Sequence, residues 1–408
     1  MEPVYLDHNA TTRPSDAVCA AVDAAQREAW ANPSSVHRAG QDARYRLETA
    51  RRSLAGLCGV DPKRLVLCSG GTEAAQLAVF GALGASPWKA PAEGATALLT
   101  TRAEHSAVRV AAQAWQEAGH AVRWLAMDEH GRVDPNAVAR EAEEAAQRAD
   151  RVVVSVHWAN NETGVVQPIP ELAAALGGLR AKLRQAGRRA KVRLHTDATQ
   201  WLGKRPTEVD GVGIDLLTGA AHKFHGPKGV GLLALGKGVR LAPQLIGGAQ
   251  ELDRRAGTEN APAVAGAGVA AEEAKAWVSD PANRAALGAL RDGFEQRLEA
   301  LRPGVVLLGR GADRLENTSL VSLPGLEAEA LVVALSERGV QASAGAACSS
   351  GSLEPSPVLL SMGVDEATAH GAVRFSLSKQ TTEAGLARAA EAWAQSAAAL
   401  GATMPAPA

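Results

Sequence analysis

The sequence predicts an α/β fold with a mostly parallel, helix-covered sheet in a large domain and a smaller α+β domain beside it. Short apolar, β-branched runs at 65–68, 97–100, 122–125, 152–156, 192–195, 214–217 and 230–233 alternate with helical stretches. That alternation is the pattern of layered βα units. A long alanine-rich helical stretch follows at 264–277 and 284–301. After it, strand-like 319–323, helix-like 327–338 and strand-like 340–343 and 372–377 form a shorter mixed pattern. The change falls near Gly257 and divides the chain into 14–257 as the large domain, with 1–13 and 258–408 as the small one. The Ala/Pro tail after Ala397 is the one low-complexity stretch.

The 408 residues are enough for two domains with buried cores. Hydrophobic residues make up 46% and charged residues 21%, a globular balance, and the 3% of aromatics makes the core aliphatic. Forty-three Lys and Arg against 44 Asp and Glu leave a net charge of −1, with no excess of positive charge to hold nucleic acid or a lipid surface. No run of eighteen apolar residues and no leader pattern is visible. The four cysteines, Cys19, Cys58, Cys68 and Cys348, form no close pairs, so a disulfide framework is not expected and a reducing, cytoplasmic setting is. Cys19, Cys58 and Cys68 lie on apolar helix or strand patterns and are expected to be packed.

In parallel sheets ligands sit beyond the carboxyl ends of the strands, so polar residues just after the apolar runs come first. Ser69-Gly70-Gly71-Thr72-Glu73 follows the 65–68 run and precedes a helical pattern. It reads either as a phosphate cup at a helix N-terminus or as a glycine turn with Thr72 as N-cap. His222-Lys223 follows the 214–217 run on a glycine-punctuated turn, where a lysine can form a Schiff base. The His222/His225 pair lacks a carboxylate or cysteine to complete a metal site, and no mononuclear metal is expected on protein side chains. Asp197, after the 192–195 run, is placed to keep a pyridine nitrogen protonated. A phosphate cup, a lysine and an aspartate at one sheet edge point together to pyridoxal 5'-phosphate. The GxGxxA match from Gly266 to Ala271 has no strand before it and reads as helix packing.

With these residues in place, the chain resembles the NifS/IscS cysteine desulfurases of the class V aminotransferase family. The matching segments run in order over nearly the whole chain: Tyr5 to Thr12, Asn32 to His37, Ser69 to Glu73, Glu104-His105, Asn160 to Gly164, Asp197 to Gln200, His222-Lys223, Arg255 to Asn260, Cys348 to Pro355 and Arg374-Phe375-Ser376. The resemblance implies a fold-type I, pyridoxal-phosphate-dependent homodimer that converts L-cysteine to L-alanine and leaves a persulfide on Cys348. An iron–sulfur scaffold or another sulfur-acceptor protein is the implied partner, and Cys348 could ligate a transferred cluster. By the same resemblance Lys223 carries the cofactor and moves the substrate's α-proton. Asp197 pairs with the pyridine nitrogen, Gln200 donates to the ring hydroxyl, and His105 stacks on the ring as an acid/base. Asn161 lies beside ring hydroxyl and substrate. Gly71, Thr72 and His222 bind the phosphate, and Thr258 reaches it from the other subunit. Arg374 holds the substrate carboxylate. The small residues around Cys348 suit a mobile loop.

Three departures stand out. Ala220 replaces a serine that usually binds phosphate, with Thr218 as the nearby hydroxyl expected to compensate. Ala249, Leu252 and Asp253 replace a glycine and an Arg-Gly pair, and Ser378-Lys379 replace Gly-Arg. The competing readings are a selenocysteine lyase, another class V enzyme, or a catalytically weak homologue kept as a binding partner in sulfur assembly.

Overall fold

The computed structural model describes residues 3–84, 96–345 and 355–401. The strands are β1 (Val4–Tyr5), β2 (Leu65–Cys68), β3 (Thr96–Thr100), β4 (Ala121–Trp124), β5 (Arg151–Ser155), β6 (Lys191–Asp197), β7 (Leu216–Ala220), β8 (Gly231–Leu235), β9 (Val306–Leu308), β10 (Thr318–Ser322), β11 (Val340–Gln341), β12 (Ser343–Ala344) and β13 (Ala372–Ser376). Each of the seven apolar runs of the first half contributes a strand to one sheet, in the order β2-β8-β7-β6-β5-β3-β4. β4, β3, β5, β6 and β7 pair in parallel, and only β8 is reversed, antiparallel to both β7 and β2. Burial on both faces explains why these strands read as continuous apolar runs. β7 begins at Leu216, not Ile214, because the Asp215 side chain turns to Arg180, Arg193 and the Leu194 amide.

The main core lies between this sheet and helices Arg38–Cys58, Pro135–Ala146, Ile169–Gln185 and Ala261–Ser279. Gly266 and Gly268 let the last of these helices come close. A Cβ on Gly268 would stand 2.7 Å from the Ala50 Cα, and one on Gly266 2.5 Å from a Val22 methyl. The GxGxxA stretch is thus a packing surface. A second core gathers Leu6, Phe294, Phe375 and Trp393 around the antiparallel sheet β12-β13-β10-β9. β1 pairs in parallel with β11, and Leu6 bonds onward to Ser376, so the first residues of the chain are woven into this second unit. Among the described residues no helix is long and apolar enough to cross a membrane.

Cys58 and Cys68 are buried, and burial pushes both thiols up, to about 12 for Cys58. Cys19 departs from expectation. It is exposed, because the helix Asp16–Glu28 buries Val18 and Ala25 and turns Cys19 to the outside.

Candidate active site

The site forms where the carboxyl ends of β2, β3, β5, β6 and β7 meet the N-terminal segment and β13. A cavity of 330 Å³ lies there, lined by Gly71, Thr72, His105, Asn161, Asp197, Gln200, His222, Lys223 and Arg374. Nine residues singled out from the sequence are therefore gathered in one place. Thr258 is not among the lining residues and is exposed on its own chain. Cys348 lies outside the described residues.

Helix Gly71–Leu83 opens directly on the cavity, with Gly70 as its N-cap and no side-chain cap. Thr72 therefore sits inside the first helical turn and is not the N-cap. The backbone N–H groups and the positive end of the helix dipole face the lined space. Gly231 secures this turn: a Cβ there would stand 2.2 Å from the Gly70 carbonyl oxygen, so only glycine lets β8 pass so close. Glu73 folds back to accept from the Ser69 amide at 2.7 Å and pairs with Arg255, also at 2.7 Å.

Asp197 closes β6. Its Oδ1 accepts from the Thr199 amide at 2.9 Å, which shapes the turn, and its backbone carbonyl accepts from the Trp158 amide. Trp158 and Trp201 stack with ring centres 4.3 Å apart beneath this turn. His105 caps helix Ser106–Glu117, its Nδ1 accepting from the Ala107 amide at 3.1 Å. In the neutral ring the proton then sits on Nε2. Burial, with Lys223 and Lys228 nearby, pushes His222 down to about 4, and its Nδ1 lies 3.2 Å from the Thr11 hydroxyl.

Lys223 Nζ donates to the carbonyls of Asn9 at 2.6 Å and Ala10 at 2.8 Å. Arg374 Nη1 donates to the Asn161 carbonyl at 3.0 Å and Nη2 to Asp7 at 2.7 Å. Its Nε is buried without a partner. A guanidinium has five N–H groups, so donors remain for a carboxylate. Glu162 follows Asn161 and receives the Ser356 hydroxyl at 2.5 Å. Burial raises Glu162 to about 7, against the Ser356 bond and the charges of Arg374, Arg109 and His105.

Four residues missed in the sequence also belong here. Asn9 is buried and joins everything: its carbonyl accepts from Lys223 and Gln200, its amide donates to Asn161 and Thr318, and its N–H reaches the Ser376 hydroxyl. His157, a lining residue, gives Nδ1–H to Glu104 at 2.8 Å, while its Nε2 is buried without a partner. The third is Thr199, whose hydroxyl reaches the lining where Thr218 was expected to help. Thr218 is fully buried, bonds His195 Nε2 at 3.0 Å and does not line the cavity. A Cβ on Gly71 would stand 3.5 Å from both the Thr199 Oγ1 and the Ala220 Cβ, so Thr199 flanks the spot where Ala220 lacks a hydroxyl. The fourth, Lys204, donates to Gln200 Oε1 at 2.5 Å. Asn9 and Thr199 lie in matching segments but carried no role there, and His157 and Lys204 lie in none, since a histidine or lysine near a strand end is common and only the tertiary fold brings them in.

A sheet-edge cavity carrying a lysine, an aspartate, a helix N-terminus and a buried arginine defines a fold-type I site. The chain belongs to the aminotransferase class-V family, whose model matches residues 4–388. It is 40% identical over 94% of its length, and 90% of the relative's, to cysteine desulfurase 2 of Trichormus variabilis. It is 39% identical to cysteine desulfurase NifS of Azotobacter vinelandii, with 94% and 90% covered. Among solved structures, a NifS-like protein superposes with a TM-score of 0.83 at 30% identity, covering 96% of this chain and 98% of that one.

Proposed function

We infer that this chain is a cysteine desulfurase that uses pyridoxal 5'-phosphate to convert L-cysteine to L-alanine and passes the sulfur to Cys348. The observation that carries the reading is the single cavity in which Lys223, Asp197, the glycine-opened helix N-terminus and Arg374 converge. The residues fit the cofactor. The volume is within the roughly 300–1,000 Å³ of small-molecule sites. The helix end with Thr72, Thr199 and His222 supplies donors for a phosphate. When bound, the cofactor withdraws electrons from the substrate's Cα.

The chain's own groups do the rest. Lys223 Nζ holds the cofactor and then carries the α-proton. Asp197 keeps a positive charge favourable at the pyridine nitrogen, and Gln200 donates to the ring hydroxyl. His105, with its proton on Nε2, would serve as an acid/base beside the bound cofactor. Arg374 and Asn161 hold the substrate, Arg374 by its carboxylate. Cys348 attacks the substrate sulfur as a thiolate: the Cβ–S bond breaks, an S–S bond forms, and the carbon skeleton takes up a proton to leave alanine. In this reading the protein is a homodimer, with 14–257 as the cofactor-binding domain and 1–13 with 258–408 as the second. The acceptor is an iron–sulfur scaffold or another sulfur carrier.

The test is incubation with L-cysteine, with alanine and sulfide measured with and without reductant. Alanine should form stoichiometrically with sulfide only when reductant is present. Brief exposure should place a reductant-labile gain of about 32 Da on the Cys348 peptide. Cys348→Ala should keep the yellow chromophore and release almost no alanine. Wild-type alanine release by that variant, or the extra sulfur on another cysteine, refutes the assignment.

A further inference from the structure

The N-terminal segment brings to the site a carboxylate that the mechanism above does not use. Asp7 Oδ1 accepts from Arg374 Nη2 at 2.7 Å, and Arg374 Nη1 donates to the Asn161 carbonyl at 3.0 Å. Among the described residues no other carboxylate lies within 4.0 Å of Arg374. Glu162 is near enough to feel its charge, but Glu162 Oε2 takes the Ser356 hydroxyl. The arginine side chain is 4% exposed, so Asp7 and one main-chain oxygen hold a guanidinium that is out of water.

Asp7 sits on a pinned stretch of backbone. The Leu6 carbonyl accepts from the Ser376 amide, the His8 amide donates to the Ser376 carbonyl, and the Asn9 amide donates to the Ser376 hydroxyl. The Tyr5 hydroxyl adds bonds to the carbonyls of Asp7 and Thr11. The same short stretch holds the Lys223 amine, through the carbonyls of Asn9 at 2.6 Å and Ala10 at 2.8 Å. Asn9 closes the circuit, since its Nδ2 donates at 3.2 Å to the Asn161 carbonyl that also receives Arg374. Residues 7–10 thus tie Lys223 and Arg374, which both line the cavity, to one fixed piece of chain.

An α-amino acid carries its amine and its carboxylate on one carbon, and a β-amino acid sets them one carbon further apart. A site that holds both ends tells the two apart only if its own two holders keep one separation. We propose that Asp7 is a positioning residue that sets the Arg374 guanidinium at the separation from Lys223 that an α-amino acid spans, and so contributes the preference for α-amino carboxylates. The inference rests on the reading of Lys223 as the cofactor lysine and Arg374 as the carboxylate holder. The physical basis is the length of the arginine side chain, which without a fixed acceptor spreads over several rotamers that each aim the fork differently. An oxygen at that place is what the arginine needs. The charge on Asp7 itself opposes an incoming carboxylate.

The experiment titrates the full chain, loaded with pyridoxal 5'-phosphate, with L-alanine, β-alanine and ethylamine, and follows the visible absorbance of the bound cofactor. Asp7→Ala should weaken L-alanine about tenfold, as for the loss of one charge-assisted hydrogen bond, and leave ethylamine, which has no carboxylate, within about twofold. The margin of L-alanine over β-alanine should shrink with it. Asp7→Asn, which keeps an oxygen in the same place, should bind L-alanine at least as tightly as the wild type. Asp7→Glu, which keeps the charge and moves the oxygen by one methylene, should weaken L-alanine as Asp7→Ala does, and it carries the test if the alanine variant does not fold. A merely structural residue would weaken all three ligands alike, whatever the change in Tm. That result, unchanged L-alanine binding in Asp7→Ala, or Asp7→Glu matching the wild type while Asp7→Asn fails, overturns the proposal. A wild-type chain that binds ethylamine as tightly as L-alanine would instead refute the Arg374 assignment beneath it.

Discussion

Glu162 shows how one side chain carries a testable pH signature. It is buried next to Arg374 and the Ser356 hydroxyl, and burial raises it to about 7. The folded chain then keeps a proton that an unfolded chain would release near 4.5. The stabilisation from this group is therefore complete below about pH 4.5 and is lost as the pH rises through about 7, a change of up to about 3 kcal/mol. Glu162→Gln removes the titration while keeping an acceptor for Ser356. The wild type should lose more Tm than the variant between pH 5 and pH 8, and parallel profiles would refute the assignment. Individual residues were unevenly legible in the sequence. Lys223 and Asp197 were readable because each follows or closes an apolar strand run at the sheet edge, whereas Arg374, in the middle of β13, was reached only through the family resemblance. Asn9 and Glu162 were not readable, since Asn9 acts largely through its backbone and Glu162 draws its character from burial that only the tertiary fold supplies.

Elements hold the segment after β8 in place by a buried ion pair. Arg51, on helix Arg38–Cys58, meets both Glu251 oxygens at 2.8 and 2.7 Å and also donates to the Leu65 carbonyl. Glu251 in turn accepts from the Leu67 amide of β2 at 3.0 Å. The residues that follow pass through left-handed backbone, with φ of 58° at Leu252 and 62° at Asp253, where the related pattern has Arg-Gly. Both side chains are exposed, which removes crowding but not the backbone cost of such angles. Arg51→Met should leave the Glu251 charge buried and unpaired and lower stability by about 3–5 kcal/mol. Adding Glu251→Gln should restore most of it, because the amide keeps an acceptor for Leu67 without a charge. Urea unfolding of the two variants checks this, and equal losses would mean the pair does not act as a unit. The long strands were readable because apolar runs buried on both faces are a local signal. β1, two residues long, was not, because only pairing with β11 from the far end of the chain makes it a strand.

At the scale of the whole molecule, the placement of Thr258 decides whether one chain can complete a site. It is exposed, off the cavity of its own chain, and lies three residues after Arg255, which is anchored to Glu73 at the start of the cavity helix. An exposed hydroxyl that does not line its own cavity is free to face a neighbouring one. Under the homodimer reading, Thr258 binds the cofactor phosphate of the partner, and Thr258→Ala removes a bond of about 0.5–1.5 kcal/mol, roughly two- to thirteenfold in affinity. Lys223→Ala removes the adduct altogether. In a heterodimer of the two variants, one site carries both defects and the other carries neither. Titration of tagged, purified heterodimers with pyridoxal 5'-phosphate should therefore show one site per dimer with wild-type affinity and a Lys223 adduct. If Thr258 acted within its own chain, the surviving Lys223 would share a site with the missing hydroxyl, and every adduct would form with the weakened affinity of the Thr258→Ala homodimer.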